Sequence, residues 1–290
     1  MRSIGVTANS NVAAALVEGY RIAGPIRRYP EPGDAADTLQ DMPADAVADC
    51  IRKVVERAAG GESVTAIGVG IPGILRDGVV EESPNLPQLK GLKLQAVLSA
   101  ALPSLAVLPL NDADAVAAGI AATHGQLDRL VRAWTLGTGI GYGRYPRCEG
   151  IGGEGGHLVV SLDPKERFCG CGGEGHLEGI MGHRAMRLRF LDLEPEEIFS
   201  SAREGDPRCR AFVKFWHRAL AAATASLVHL DGPGRFYISG TDAKLVDLSL
   251  LSLYLSEMVK MSPLQGSFFE IVAYTDELAI IGAAVAATQG

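Results

Sequence analysis

Gly153-Glu154-Gly155-Gly156-His157 is followed, after eleven residues, by Cys169-Gly170-Cys171-Gly172-Gly173-Glu174-Gly175-His176-Leu177-Glu178. With Gly152 in front, this stretch puts two thiols and two imidazoles within twenty residues, among glycines. His157, Cys169, Cys171 and His176 make a full four-coordinate ligand set for a structural zinc. The other reading is a pair of reduced thiols in a Gly-rich loop, with the histidines elsewhere. Glu154 and Glu178 are interleaved with the ligands, so a metal here would fold the same loops that carry acidic hydrogen-bond acceptors. That combination suits a site for a molecule rich in hydroxyls.

Upstream, Arg2–Val6 and Val12–Glu18 are short apolar runs around a polar turn, and Tyr20–Tyr29 reads as a third strand of an antiparallel meander. Apolar residues at Val47, Ile51, Val54 and Val55 give Ala44–Ala59 helical spacing. Val64–Ile71 is a buried strand, 92–102 a helix and Leu105–Leu110 another strand. An Ala-rich helix then runs from Ala113 to Thr123. Downstream of the cysteines the chain reads as mostly helical: 177–190, 194–202, 207–230, 243–260 and a closing helix over 278–287. Short strands are expected at Arg235–Ser239 and Glu270–Ala273. Strands alternating with helices define an α/β protein.

Three further motifs carry chemistry. Asn111-Asp112 stands at the carboxyl end of a strand, where ligands of α/β proteins usually sit. An aspartate beside a sugar hydroxyl can act as a general base, and Asn111 can both donate and accept. The pair is equally suited to an Asx turn capping the next helix. Gly137-Thr138-Gly139 is a turn whose N–H groups could cradle phosphate, or a hairpin turn serving geometry alone. Ser239-Gly240-Thr241-Asp242 lies between a strand and a helix, as an anion site or an ordinary N-cap would.

The 290 residues allow two domains of ordinary size. Net charge is −7 with no Lys/Arg run, which argues against nucleic acid as a partner. The apolar stretch near 219–230 is short and contains His229, so it reads as a core helix and not a membrane span. The N-terminus shows no apolar secretory segment. An odd cysteine count, with Cys50, Cys148 and Cys209 scattered, points to a reducing, cytoplasmic setting.

Several of these segments, in order, resemble the ROK family of sugar kinases and repressors. They are Ile67-Gly-Val-Gly-Ile-Pro-Gly73, Ser83-Pro84-Asn85-Leu86, Leu110-Asn111-Asp112-Ala113-Asp114-Ala115, Leu136-Gly-Thr-Gly-Ile-Gly141 and Ala202-Arg-Glu-Gly-Asp-Pro207, with the Gly153–Glu178 signature. The resemblance covers nearly the whole chain. It implies a two-domain actin-like ATPase (ribonuclease H-like) fold with an interdomain cleft. The smaller domain would span residues 1–112 and the larger 113–290, with the C-terminal helix 276–288 packing back on the N-terminal domain. The implied activity is ATP-dependent phosphorylation of a hexose at its 6-hydroxyl, with Asp112 as base. Gly73, Asn85, Asn111, Glu154, His157 and Glu178 would hold the sugar. Asn9, Ser10, Asn11, Gly137, Thr138, Gly139 and Gly240 would face the nucleotide. Structural Zn²⁺ on His157, Cys169, Cys171 and His176, Mg²⁺ with ATP, and a homodimer complete the expectation. The repressors of the family carry an extra N-terminal DNA-binding segment; this chain starts at the kinase-like strand, so a DNA-binding role is not expected.

Two departures from the family pattern stand out. His176 takes the place of a third cysteine, which keeps a competent ligand. The first phosphate loop, Asp-x-Gly-Gly-Thr in the family, reads Thr7-Ala8-Asn9-Ser10-Asn11 here. The loop loses an acid that helps hold Mg²⁺ and the glycines that admit phosphate. That departure motivates two alternatives: a sugar-binding protein without catalysis, or a kinase with another donor such as polyphosphate. Loops 74–87 and 146–152 are expected to choose the sugar.

Overall fold

Between Val12 and Val17 the chain holds no polar side chain, because both faces of this strand are covered. In the computed structural model, which describes residues 2–31, 38–147 and 153–289, Val12, Ala14 and Leu16 join one apolar cluster. Ala13, Ala15 and Val17 join another. Strands buried on both sides read as continuous apolar runs. The chain divides into two compact units: Met1–Ala133 with Gly143–Gly153 and Thr275–Gly290, and Trp134–Tyr142 with Glu154–Tyr274. The division therefore falls beyond the Ala-rich helix, not after Asp112.

In the first unit β1 (Arg2–Ala8) pairs antiparallel with β2 (Val12–Glu18) through a turn at 9–11. The expected third strand is two pieces, β3 (Arg21–Ile22) and β4 (Arg27–Tyr29), both antiparallel to β2. Gly24 and Pro25 interrupt it, since proline offers no ladder N–H. Helix α1 (Ala44–Ala59) buries the predicted residues Val47, Ile51, Val54 and Val55. β5 (Ala66–Ile71) runs parallel to β1. A hairpin of β6 (Ile74–Arg76) and β7 (Val79–Glu82) follows, in a stretch expected to be loop. Asp77-Gly78, both at positive φ, turns it and is a strong hairpin signal. Helix α2 (Leu94–Ala101) leads to β8 (Ala106–Asn111), parallel to β5, and α3 (Asp112–Thr123) leaves directly from its end. The strand order is β3-β2-β1-β5-β8, with β4 also on β2. β1, β5 and β8 are parallel, so their carboxyl ends share one edge.

A second sheet is ordered β10-β9-β11-β12. Its strands are β9 (Val131–Leu136), β10 (Ile140–Tyr145), β11 (Arg235–Ser239) and β12 (Phe268–Ile271), the last two parallel. The helix expected over 177–190 breaks into α4 (Glu178–Met181) and α5 (His183–Arg189) at an extended Gly182. A side chain at Gly182 would meet the Glu178 and Thr138 carbonyl oxygens at 3.0 and 3.2 Å. α6 (Pro195–Glu204) has a capping box from Glu194 and Glu197. α7 (Pro207–Asp231) supplies the core, where Trp216 donates to the Met181 carbonyl and Thr224 accepts from Trp134. The helix expected over 243–260 is a short 3-10 turn at Ala243–Leu245, then α8 (Leu248–Met258). Asp247 restarts it by accepting the Ser249 and Leu250 N–H groups. Gly240 and Asp242 thus precede a 3-10 turn and not an α-helical N-terminus. Among the described residues no helix is long and apolar enough to cross a membrane.

The last helix, α9 (Asp276–Gln289), belongs to the first unit and lies against β1, β5 and α3. It lies so close that a Cβ on Gly5, Gly68 or Gly119 would stand 1.7–2.0 Å from the carbonyl oxygens of Ile280, Ala283 or Leu278. A Cβ on Gly282 would stand 1.7 Å from that of Ala115. Gly282→Ala should lower the unfolding free energy by about 2 kcal/mol or more in denaturant titration, as overpacking does. Gly24→Ala, whose Cβ would meet nothing nearer than 4.0 Å, should stay within about 0.5 kcal/mol.

Candidate active site

The carboxyl edge of β1, β5 and β8 gathers the first unit's expected site residues. Asn111 closes β8 and caps α3: its Oδ1 accepts the Ala113 N–H at 2.8 Å. Its Nδ2 donates to the Gly73 carbonyl at 2.9 Å. The capping reading of Asn111 therefore holds, and its amide is fixed in place at the strand end. Gly73 sits at φ +116°, and a Cβ there would fall 2.1 Å from the Glu82 carbonyl oxygen. Beside it the buried Ser83 donates to the Pro72 carbonyl at 2.7 Å and anchors the exposed Asn85 loop.

Asp112 opens α3, and its Oδ1 accepts the Ala113 N–H at 2.9 Å. Burial raises its pKa, while that N–H and its own pull the other way. Desolvation wins, which leaves a more basic carboxylate at the strand end. Asp114, two positions further along the same helix, accepts the Arg144 N–H at 2.9 Å. Burial drives its pKa up to about 6 against that hydrogen bond. The contact is possible because Gly143 lacks a side chain: a Cβ there would stand 1.9 Å from the Ala113 carbonyl oxygen.

The turn at Asn9–Asn11 is closed by the Asn9 N–H donating to the Asn11 carbonyl at 3.0 Å. The Ser10 carbonyl accepts the Leu39 N–H at 3.1 Å, and Ser10 and Asn11 are exposed. Asn9 Oδ1 is buried without a hydrogen-bond partner. Thr7, where the family pattern has an acid, is buried between its neighbours in the sheet.

In the second unit the four expected metal ligands meet, with their donor atoms all within 4.8 Å of one another. His157 Nδ1 and His176 Nδ1 are 3.2 Å apart, the two sulfurs 3.3 Å, and sulfur–nitrogen separations run from 3.3 to 3.6 Å. Zn–S bonds of about 2.3 Å and Zn–N bonds of about 2.0 Å in a tetrahedron give ligand separations of about 3.3–3.8 Å. The set thus fits a small tetrahedral cation, bound through Nδ1 of both histidines. Burial pushes the Cys169 thiol up to about 12, so a cation is what would make it a thiolate.

The glycines around this cluster seat it. A Cβ on Gly155 would stand 2.3 Å from that of Tyr142, and one on Gly156 would stand 1.9 Å from the Ile140 carbonyl oxygen. Glu166 and Arg189, unremarked in the sequence, form a largely buried bidentate ion pair. Arg189 also donates to the Gly179 carbonyl at 3.0 Å and lies 4.1 Å from the Phe168 ring centre. It thereby ties the cysteine loop to α4 and α5. Glu178 accepts the Ile140 N–H on Oε2 at 3.0 Å, next to Gly139, where a Cβ would come within 2.9 Å of the same oxygen.

The turn at Gly137–Gly139 abuts the turn at Ser239–Asp242. Asp242 donates its N–H to the Leu136 carbonyl at 3.0 Å, and Gly240, at φ +101°, has no room for a Cβ beside Leu136. Thr138 is exposed. The expected site residues therefore form one group in the first unit (Asn9, Ser10, Asn11, Gly73, Asn85, Asn111 and Asp112) and another in the second. Gly152, Cys148 and most of the 146–152 loop lie outside the described residues. Ser83 and Asp114 stand inside the quoted motifs but have no role assigned there, and Arg189 belongs to no motif at all.

Residues 32–289 match the ROK family. Over 82% of its length the chain is 30% identical to 83% of a glucokinase from Pyrobaculum calidifontis. The ROK hexokinase of Thermus thermophilus superposes with a TM-score of 0.81 at 26% identity, covering 99% of this chain and 98% of that one. A ROK family glucokinase from Streptomyces griseus, solved in complex with glucose and AMPPNP, gives 0.75 at 25% identity over the whole of both chains. The chain belongs to the ROK family, and its fold is the actin-like ATPase fold of those kinases.

The raised pKa of Asp114 has a stability consequence. Its protonated form is favoured by folding, so that contribution is present below the ordinary value of 3.8 and lost as pH rises through about 6. Asp114→Asn keeps an acceptor for the Arg144 N–H without the charge. Melting temperatures measured across pH should show the variant gaining on the wild type between pH 4 and pH 6 and holding that gain above it.

Proposed function

We propose that this protein is a sugar kinase that moves the γ-phosphoryl group of Mg·ATP to the 6-hydroxyl of a hexose. The observation that carries the reading is Asp112: a desolvated carboxylate at the carboxyl edge of three parallel strands, on the first turn of a helix. Asp112 takes the proton of the 6-hydroxyl as its oxygen attacks the γ-phosphorus and the bond to the leaving ADP oxygen breaks. Burial makes the carboxylate a stronger base, and the α3 N-terminus keeps it ionisable. Glucose or a near relative is the favoured sugar, given the glucokinase relatives.

Gly73, Asn85, Asn111, Glu154, His157 and Glu178 would hold sugar hydroxyls. Carboxylates suit that task because each accepts charge-assisted bonds from paired hydroxyls. Zinc on His157, Cys169, Cys171 and His176 performs no chemistry in this reading. With Nδ1 on the metal, the His157 ring keeps its Nε2 N–H free to meet a hydroxyl. Magnesium brought with the nucleotide would neutralise charge on the transferring phosphoryl group.

One observation favours a second reading. The turn at Asn9–Asn11 carries neither the acid nor the glycines of the family loop, and Thr7 is buried. A sugar-binding protein without transferase activity would have this turn and keep the rest.

Sugar 6-phosphate measured after incubation with Mg·ATP and a panel of hexoses separates the two. The wild type should form it, and Asp112→Asn should lose about a hundredfold to ten-thousandfold in kcat, the worth of a general base, while calorimetric glucose affinity stays near that of the wild type. Glucose binding with no phosphorylation from Mg·ATP would leave the binding reading and a kinase with another donor such as polyphosphate. Elemental analysis should return one zinc per chain, and its removal by chelator should weaken sugar binding and lower the melting temperature. Metal-free protein that is folded and binds sugar normally would defeat the scaffold role.

A further inference from the structure

His183, the first residue of α5, belongs to none of the motifs above. Its Nε2 donates to Asp242 Oδ2 at 2.7 Å, and Asp242 is 4% exposed. Its backbone N–H donates to the Thr138 carbonyl at 3.2 Å. One residue is thus bonded both to the Gly137–Gly139 turn and to the Ser239–Asp242 turn. These turns stand at the carboxyl ends of β9 and β11, neighbours in the second sheet. They also touch directly, since a Cβ on Gly137 would stand 2.9 Å from Thr241 Oγ1. At the start of the second turn, the Ser239 hydroxyl is wholly buried and has no hydrogen-bond partner among the described residues. A buried hydroxyl left unpaired at a strand end is an unused group that a ligand can complete. On the other flank of the first turn, Glu178 holds the Ile140 N–H.

We propose that His183, held on Asp242, is a positioning residue that fixes these two turns for the phosphoryl donor. The inference rests on the kinase reading and names the element that sets donor affinity. The imidazole spans from α5 to the Asp242 carboxylate and so ties the second turn to the helix that already holds the first. Without the ring, that nearly buried carboxylate keeps the Thr241 hydroxyl at 3.4 Å and the attraction of the exposed Lys244 ammonium, but loses its short hydrogen bond. A nearly buried charge stripped of its close partner moves toward water, and here it would carry the Gly240–Asp242 turn with it. The sugar group is spared that change: Glu154 and His157 lie on a segment seated by Gly155 and Gly156 on β10, and Glu178 is bonded beside the first turn, whose tie to His183 is a backbone hydrogen bond that the substitution leaves in place.

The test compares wild type, His183→Ala, His183→Gln and Asp242→Asn. Calorimetry gives the affinity for AMPPNP with magnesium and, separately, for glucose without nucleotide; steady-state kinetics give both KM values. The expected result is a loss of about tenfold to a hundredfold in AMPPNP affinity for His183→Ala, the range for a charge-assisted hydrogen bond. KM for ATP should rise in parallel, with glucose affinity within about twofold of wild type, inside the spread of surface changes. His183→Gln, whose amide N–H can reach the carboxylate, should recover most of the loss. It also serves if His183→Ala does not fold. Equal losses for sugar and nucleotide, or no change for nucleotide in a folded variant, would overturn the inference. A wild type that phosphorylates nothing but binds AMPPNP in a His183-dependent way would refute the kinase reading and leave the inference standing. A wild type that binds no AMPPNP would overturn the inference.

Discussion

Carbonyl oxygens occupy the places where side chains would begin. At Gly5, Gly68, Gly119, Gly143, Gly156 and Gly282 a Cβ would overlap a backbone oxygen at 2.0 Å or less. This closeness sets the position of nearly everything the candidate site uses. It lays α9 directly on β1, β5 and α3, and thereby fixes the helix whose first residue is Asp112. It brings Gly143 against the start of α3, where Asp114 meets Arg144. It also seats the segment ending in His157 on β10. Contacts of this kind tolerate no added methyl group, because neither backbone can retreat without breaking its own ladder.

Desolvation and ligand geometry divide the remaining work. In the first unit, burial makes Asp112 more basic and Asp114 hard to ionise, so two carboxylates two residues apart differ in use. In the proposed reaction one is the base, and the other holds the Arg144 N–H. The second unit relies on cross-links between loops. The Glu166–Arg189 pair ties the cysteine loop to α4 and α5, and the four-residue His/Cys cluster, closed on a cation, would complete the tie. Ordered hydroxyl acceptors on glycine-rich loops need such stapling, because glycine loses the most backbone freedom on folding.

Much of this was open to reading from the residues. The cluster ligands were legible because two thiols and two imidazoles at close spacing suit a metal and little else. Asn111-Asp112 was legible because polar residues at a strand end are conspicuous. Helix α1 was legible in full, with its buried face, because its period is undisturbed. Elements failed where a local signal competed with contacts from afar. The helix over 177–190 is broken by the fit of Gly182 against Thr138, which no spacing reveals. The strand over 20–29 is split at Gly24 and Pro25, which composition does show. His183 and Asp242, 59 residues apart in the chain, carry no joint signal until the fold brings them to 2.7 Å.

The sequence by itself determined the kind of chemistry: acidic and amide groups for hydroxyls, sulfur and nitrogen for a metal, glycines where chains must approach. Those are properties of residue types and of short spacings. Tertiary structure alone decided which carboxylate is desolvated, which nitrogen of each histidine faces the cluster, and which side chain joins the two turns at the ends of β9 and β11. Each depends on a separation between groups far apart along the chain. Burial and distance, not residue identity, set a pKa or a hydrogen bond.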